Sequence, residues 1–263
     1  MIFMKVNEYS CDEWEDVLSG GVYSAERVKK SLESGIPDGL RPIIWGFFSK
    51  NQAIPLLYAK LQSGFDDVVS DSIVKDLART FPNLPQFNQE ALMHILQAYS
   101  LFDIEVGYCQ GMSFVAGLLF LVIQEEESAF WTFVFLMHEK GWRGMFLNGT
   151  PKLNAVLEDL ENMIKRDLPA VYRNFKANEV DMIMLSQHFI TVMGYRVKRR
   201  FSIRIMDVFL CYGEEILSKV LFKMIKLKEK KILSLKHEFL FRYLLEHLIN
   251  ECYEEFHIST FFT

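Results

Sequence analysis

The chain has 263 residues, half of them hydrophobic, with 23 phenylalanines and a formal net charge of −5. That is enough apolar matter for one large domain or two small lobes, and it excludes a disordered chain. An acidic balance also excludes a general nucleic-acid binder.

The start of the chain, MIFMKVNEYSCDEWED, lacks a long apolar segment and turns acidic at once, unlike a signal peptide. The longest apolar run, Phe114 to Ile123, is half of the roughly twenty residues a membrane span needs. Cys11, Cys109, Cys211 and Cys252 are scattered with no CxxC, which suits free thiols in a reducing compartment. The expectation is a soluble, cytosolic protein. His237, His247 and His257, with Cys252 among them, fit no known zinc-ligand spacing.

Strand signals are nearly absent and helix signals recur along the chain. Ser24 can cap a helix that ends at Gly35, with Pro37 beyond. Asp71 or Ser72 can cap the stretch IVKDLART, whose helix ends before Pro82. Asn88 can cap QEALMHILQAYS. GWRGMFLNGTPK, 141–152, reads as a loop, and Thr150 is a cap with Pro151 at the first helical position. Gly213 closes one helix, and Glu214 and Glu215 suit the first turn of the next. The fold class is all-α, a single domain over 1–263 with a soft seam near residue 165 between two helical lobes.

Two stretches carry chemistry. In SIVKDLARTFPN, Ile73, Asp76 and Arg79 fall near one helix face, and Arg79 lies just before the Thr80-Phe81-Pro82 break. An arginine there can project outward, or it can form a surface ion pair with Asp76 worth less than about 1 kcal/mol. In GYCQGMSF, Gly107 and Gly111 permit a tight turn and close backbone approach around Tyr108 and Gln110. Tyr108 can pack and anchor through its hydroxyl. Gln110 can simply solvate a helix start.

Together the two stretches suggest phosphate chemistry. Arginine is always charged and offers a planar fork that can stabilise charge developing between phosphates. A neutral glutamine amide can aim a water without repelling a phosphate. Yet the chain has neither a GxxxxGK[ST] loop nor a kinase glycine loop. If these groups act on a nucleoside triphosphate, another protein must hold it, as when a GTPase-activating protein supplies a finger in trans.

Three motifs in order carry a family resemblance. RxxxW is Arg41-Pro42-Ile43-Ile44-Trp45; IxxDxxR is Ile73, Asp76 and Arg79; YxQ is Tyr108-Cys109-Gln110. AFW at 129–131 and RIMDVFLCYG at 204–213 also fit. From about Gly35 to about Leu235 the chain resembles the TBC domain, the helical domain that activates Rab GTPases. The resemblance implies a two-lobed, V-shaped fold, with a catalytic lobe over about 1–165 and a helical lobe over about 166–263. It implies an arginine finger at Arg79 and a glutamine finger at Gln110, the latter doing the water-positioning work usually given to the GTPase's own glutamine. Arg41, Trp45, Asp76 and Tyr108 become supports: Asp76 pairing with Arg41 or orienting Arg79, Trp45 in the core. The partner is a GTP-bound Rab that brings its own nucleotide and magnesium, so the chain needs no cofactor or metal of its own. Vesicle trafficking follows, with a cytoplasmic protein transiently at endomembranes through its partner, and no nucleic acid.

The chain departs from the family pattern in its second half. His188 stands where a tryptophan is common, Met206 replaces the tryptophan of RIWD, and the segment Pro169 to Asn174 lacks its usual histidine. A buried or groove position is the plainer reading of His188. These changes bear on second-lobe packing and GTPase preference rather than on the fingers. Basic residues cluster at 196–204 and 219–231, as solvated helix faces or as a patch for a Rab or an anionic membrane. An activator that has kept both fingers is the leading reading. A silent GTPase-binding module, or a plain helical scaffold, is the alternative. Within this sequence, the short ends beyond the match carry the expectation of no further targeting module.

Overall fold

The computed structural model describes residues 35–64, 67–82, 84, 87–190 and 199–252, together with Trp14 and Leu32. Every regular element among them is helical. In the first half, α1 (Arg41–Phe48), α2 (Leu57–Leu61), α3 (Asp67–Leu77) and α4 (Gln89–Phe102) lead to α5 (Met112–Ile123) and α6 (Glu126–His138). A 3-10 turn (Trp142–Met145) leads to α7 (Pro151–Asp167) and α8 (Pro169–Ala177). A second 3-10 turn (Met182–Leu185) precedes α9 (Gln187–Ile190), α10 (Arg199–Tyr212), α11 (Glu215–Leu227) and α12 (Glu229–Ser234). The last stretch is α13 (His237–Arg242), a π-helical turn (Tyr243–His247) and α14 (Leu248–Cys252), running without a break.

Local chemistry sets several boundaries as the sequence suggests. Asn88 Oδ1 accepts from the Ala91 amide at 3.1 Å and starts α4. Gly213 ends α10 with φ +75°, its amide on Phe209 O at 2.8 Å, and α11 follows with Glu215 in its first turn. Gly35 has φ +105°, while Ser24 lies outside the described residues.

Three expectations are corrected. The helix carrying Asp76 starts at Asp67, four residues before the expected cap, because Asp71 and Ser72 continue its exposed face. Thr150 precedes Pro151 as expected, but its backbone is left-handed at φ 45° and its hydroxyl makes no cap bond. The 141–152 stretch is not merely a loop, since it buries Trp142 edge-on against Phe209 at 5.1 Å.

The core is one contiguous apolar cluster reaching from Trp14 to Cys252. Its centre in the first half is α5, apolar all round and buried on nearly every side, as a helix of that composition must be. It lies against α1, α4 and α6. In the second half α11 packs on α7 and α14, and α7 also packs on α8. Along α11, Val220, Leu221, Met224 and Ile225 are buried while Lys219 and Lys226 are exposed, so these lysines cover a packed helix.

His188 is a core residue, 2% exposed. Its Nε2 lies 2.7 Å from the carbonyl of Leu244, within the π-helical turn, where regular i→i+4 bonding is interrupted. Its Nδ1 is buried without a partner. Burial holds its pKa below the ordinary value, so unfolding takes up a proton at mildly acidic pH. Stability is therefore fully present above about pH 6.5 and declines as pH falls below it. Denaturation of wild type and His188→Gln at pH 7.5 and 5.5 checks this. The wild type loses stability between the two pH values, and the glutamine variant, which retains a donor for Leu244, loses less.

Candidate functional site

Arg79 sits in the turn that follows α3. Ile73 and Leu77 bury one face of that helix, which puts Asp76 at its buried edge, 6% exposed. Thr80 is fully buried; its hydroxyl donates to Asp76 O at 2.8 Å and lies 2.9 Å from the Ser113 hydroxyl on α5. Gly117 makes this approach possible. A Cβ there would sit 3.0 Å from the Phe81 ring and 3.2 Å from Thr80. The turn carrying Arg79 is thus seated directly on α5.

Gln110 sits just before the start of the same helix, in the loop between α4 and α5. Gly111 starts α5 with φ +99° and Gly107 has φ +60°, conformations that disfavour other residues. Tyr108 turns inward and donates its hydroxyl to Asp76 Oδ2 at 2.6 Å. Burial and the neighbouring Asp76 raise its pKa, so it remains a donor. Gln110 is exposed and stands before the helix rather than solvating its end.

The two stretches meet. Arg79 Nη2 donates to Asp76 Oδ1 at 2.6 Å. With the Gln110 amide assigned so that its oxygen faces the guanidinium, Oε1 accepts from Nη2 at 2.7 Å and from Nη1 at 3.3 Å. Asp76 is therefore the joint, one oxygen on Arg79 and the other on Tyr108. The Arg79 side chain is 41% exposed. Its Nε is buried without a partner, leaving part of the fork unused. The Asp76–Arg79 pair is not the surface ion pair that the spacing alone allows, because its carboxylate is buried. The Tyr108→Phe variant keeps the ring and loses the bond, so it should cost about 1–3 kcal/mol of stability. Urea denaturation reads this, and an unchanged midpoint would contradict it.

Arg41 and Trp45 lie elsewhere, and Asp76 does not pair with Arg41. The Arg41 partner is Asp207 on α10, fully buried, which accepts from Arg41 Nε at 2.9 Å and Nη2 at 3.2 Å. Trp45, also fully buried, donates its Nε1–H to the same carboxylate at 2.9 Å. Arg204 donates to it at 2.9 Å and to Leu32 O at 3.0 Å, so Arg204 belongs to the interior and not to a solvated basic cluster. Residues 196–198 of that cluster lie outside the described residues. Burial works against the Arg41 charge, but Asp207 and Asp38 outweigh it and raise its pKa. This network joins α1 to α10. Sequence reasoning quoted RIMD without giving Asp207 a role, although an aspartate inside IMDVFL was the signal.

A second hub went unremarked. Asp103 opens the Gln110 loop and is 6% exposed. It accepts from Arg143 Nε at 2.7 Å, Arg143 Nη2 at 2.9 Å and the Tyr99 hydroxyl at 2.9 Å. Burial alone would raise the Asp103 carboxyl; these donors outweigh it and hold it below its usual range. Burial raises the pKa of Cys109, the thiol beside Gln110, and so disfavours its thiolate. Among the described residues no group of three or more His, Cys, Asp or Glu could hold a metal ion; His257 lies outside them. No described helix is long and apolar enough to cross a membrane.

Comparison with known proteins gives the arrangement a family. The family model described as the Rab-GTPase-TBC domain matches residues 38–233. The ecotropic viral integration site 5 protein homolog of Homo sapiens is 32% identical over 236 residues, covering 86% of this chain and 28% of that protein. The GTPase-activating protein GYP5 of Eremothecium gossypii is 32% identical over 227 residues, covering 85% and 27%. This chain thus spans little more than a quarter of these curated relatives. The crystal structure of the Chlamydomonas flagellar RabGAP TBC domain superposes with a TM-score of 0.79 at 23% identity, over 93% of this chain and 86% of that one, a likeness of fold. With a match over most of its length and all three motifs in one all-α architecture, the chain belongs to the Rab-GTPase-TBC domain family.

Proposed function

We propose that the protein is a GTPase-activating protein for a Rab-family GTPase in its GTP-bound form. Arg79 is the arginine finger and Gln110 the glutamine finger, both supplied in trans. The observation that carries this reading is the direct contact of the two side chains at an exposed edge, with Asp76 and Tyr108 beneath them. In the GTPase's active site the Arg79 fork turns to the phosphates, where its charge offsets charge developing on the transferring group. Gln110 then exchanges the guanidinium for the attacking water. Asp76 stays with Arg79 and limits how far it swings. Nucleotide and magnesium come with the partner, and the partner brings the protein transiently to an endomembrane in vesicle trafficking. The catalytic lobe, over about 1–165, carries both fingers.

Phosphate release from a panel of GTP-loaded Rab proteins tests the proposal. Strong acceleration of at least one is expected. Binding to GTP-loaded Rab without acceleration would favour the silent module.

A further inference from the structure

The most exposed large hydrophobic among the described residues is Ile104, at 85%. A lone exposed isoleucine is ordinary. This one is held out. The preceding residue, Asp103, is buried and takes two bonds from Arg143. The following residue, Glu105, accepts from the same guanidinium at 2.6 Å. Gly107 N closes the turn on Asp103 O at 2.7 Å. One arginine, based in the 3-10 turn beside buried Trp142, thus grips both neighbours of Ile104 and leaves its side chain in water.

The loop that presents Ile104 ends at Gln110. Six residues at full stretch span about 20 Å, and the closed turn together with the inward anchor at Tyr108 shortens that. A globular partner contacts a patch about 30 Å across. A protein that brings a nucleotide to Arg79 and Gln110 therefore comes within reach of Ile104.

We propose that Ile104 is a docking side chain that seats in an apolar hollow beside the nucleotide site of the GTPase, and so helps decide which GTPase is accepted. This rests on the activity proposed above. Ile104 has no polar atom to act on the reaction, so its burial contributes to association equally before and in the transition state. Its loss should appear in KM and not in kcat.

The test measures phosphate release against concentration of the responsive GTP-loaded Rab, using wild type, Ile104→Ser, Ile104→Asp and Phe239→Ser. Phe239 is 64% exposed on α13 and serves as the control. Ile104→Ser should raise KM roughly tenfold, the loss expected for an unburied isoleucine, and keep kcat within about twofold. Ile104→Asp should raise KM further, and Phe239→Ser should match wild type. If wild type accelerates the Rab but the Ile104 variants share its KM, lose kcat instead, or behave like Phe239→Ser, the docking role is overturned while the activity stands. If wild type neither accelerates nor binds any GTP-loaded Rab, both fall together.

Discussion

Arg79→Ala and Gln110→Ala should each remove most of the proposed acceleration while the protein stays folded. For Arg79 the expected loss is about 10³–10⁵-fold, the usual contribution of a finger that neutralises transition-state charge in a water-excluded site. For Gln110 it is on the order of 10²-fold, since a misplaced water costs about that much. Arg79→Lys should resemble Arg79→Ala in rate. An ammonium is a point charge without the fork that here serves Asp76 and Gln110 at once. The alanine variants differ in stability. Gln110 is exposed and its removal costs little, whereas loss of Arg79 leaves the buried Asp76 with Tyr108 as its remaining side-chain partner. Single-turnover phosphate release paired with thermal denaturation separates the two effects. A folded Arg79→Ala protein with wild-type rate would remove the arginine finger.

Asp207→Ala should be the most destabilising single substitution, at about 3–5 kcal/mol. The carboxylate is fully buried and carries Arg41, Trp45 and Arg204. Without it the Arg41 guanidinium, whose side chain is 5% exposed, remains interior with Asp38 and the Ile36 carbonyl as partners. Against an ordinary domain stability of roughly 5–15 kcal/mol, that leaves a protein close to unfolding. Asp207→Asn keeps acceptor capacity and loses the charge, so it should fall between. Urea denaturation with an unchanged slope reads the difference. A cost below about 1 kcal/mol would mean that the packing of α1 on α10 does not depend on this carboxylate.

Much of this was legible in the sequence, and what was not shares a cause. Asn88 and Gly213 act on their own helices, so local chemistry reveals them. Arg79 and Gln110 are legible through the ordered motifs IxxDxxR and YxQ, because either stretch alone also has a plain structural reading. Their supports are harder to read. Asp76 has Arg79 three residues away and Tyr108 across the fold, and spacing cannot say that it declines Arg41. The Arg41–Asp207 pair spans 166 residues. Local pattern is silent over such a distance, and only the packing of α1 on α10 brings the two together. Asp103 and Arg143 were missed for the same reason. The start of α3 was misplaced because Asp71 and Ser72, good caps in isolation, also serve as exposed interior positions of a longer helix.

The central claim is that Gln110 does in trans what a GTPase's own water-orienting glutamine does in cis. The most direct measurement is phosphate release from the responsive Rab carrying leucine in place of that glutamine, with wild-type protein and with Gln110→Ala. Acceleration by wild type, lost in Gln110→Ala, is the expected result. If the leucine-bearing Rab gains nothing from the wild-type protein, the water is positioned by the GTPase, and Gln110 does no more in catalysis than hold Arg79.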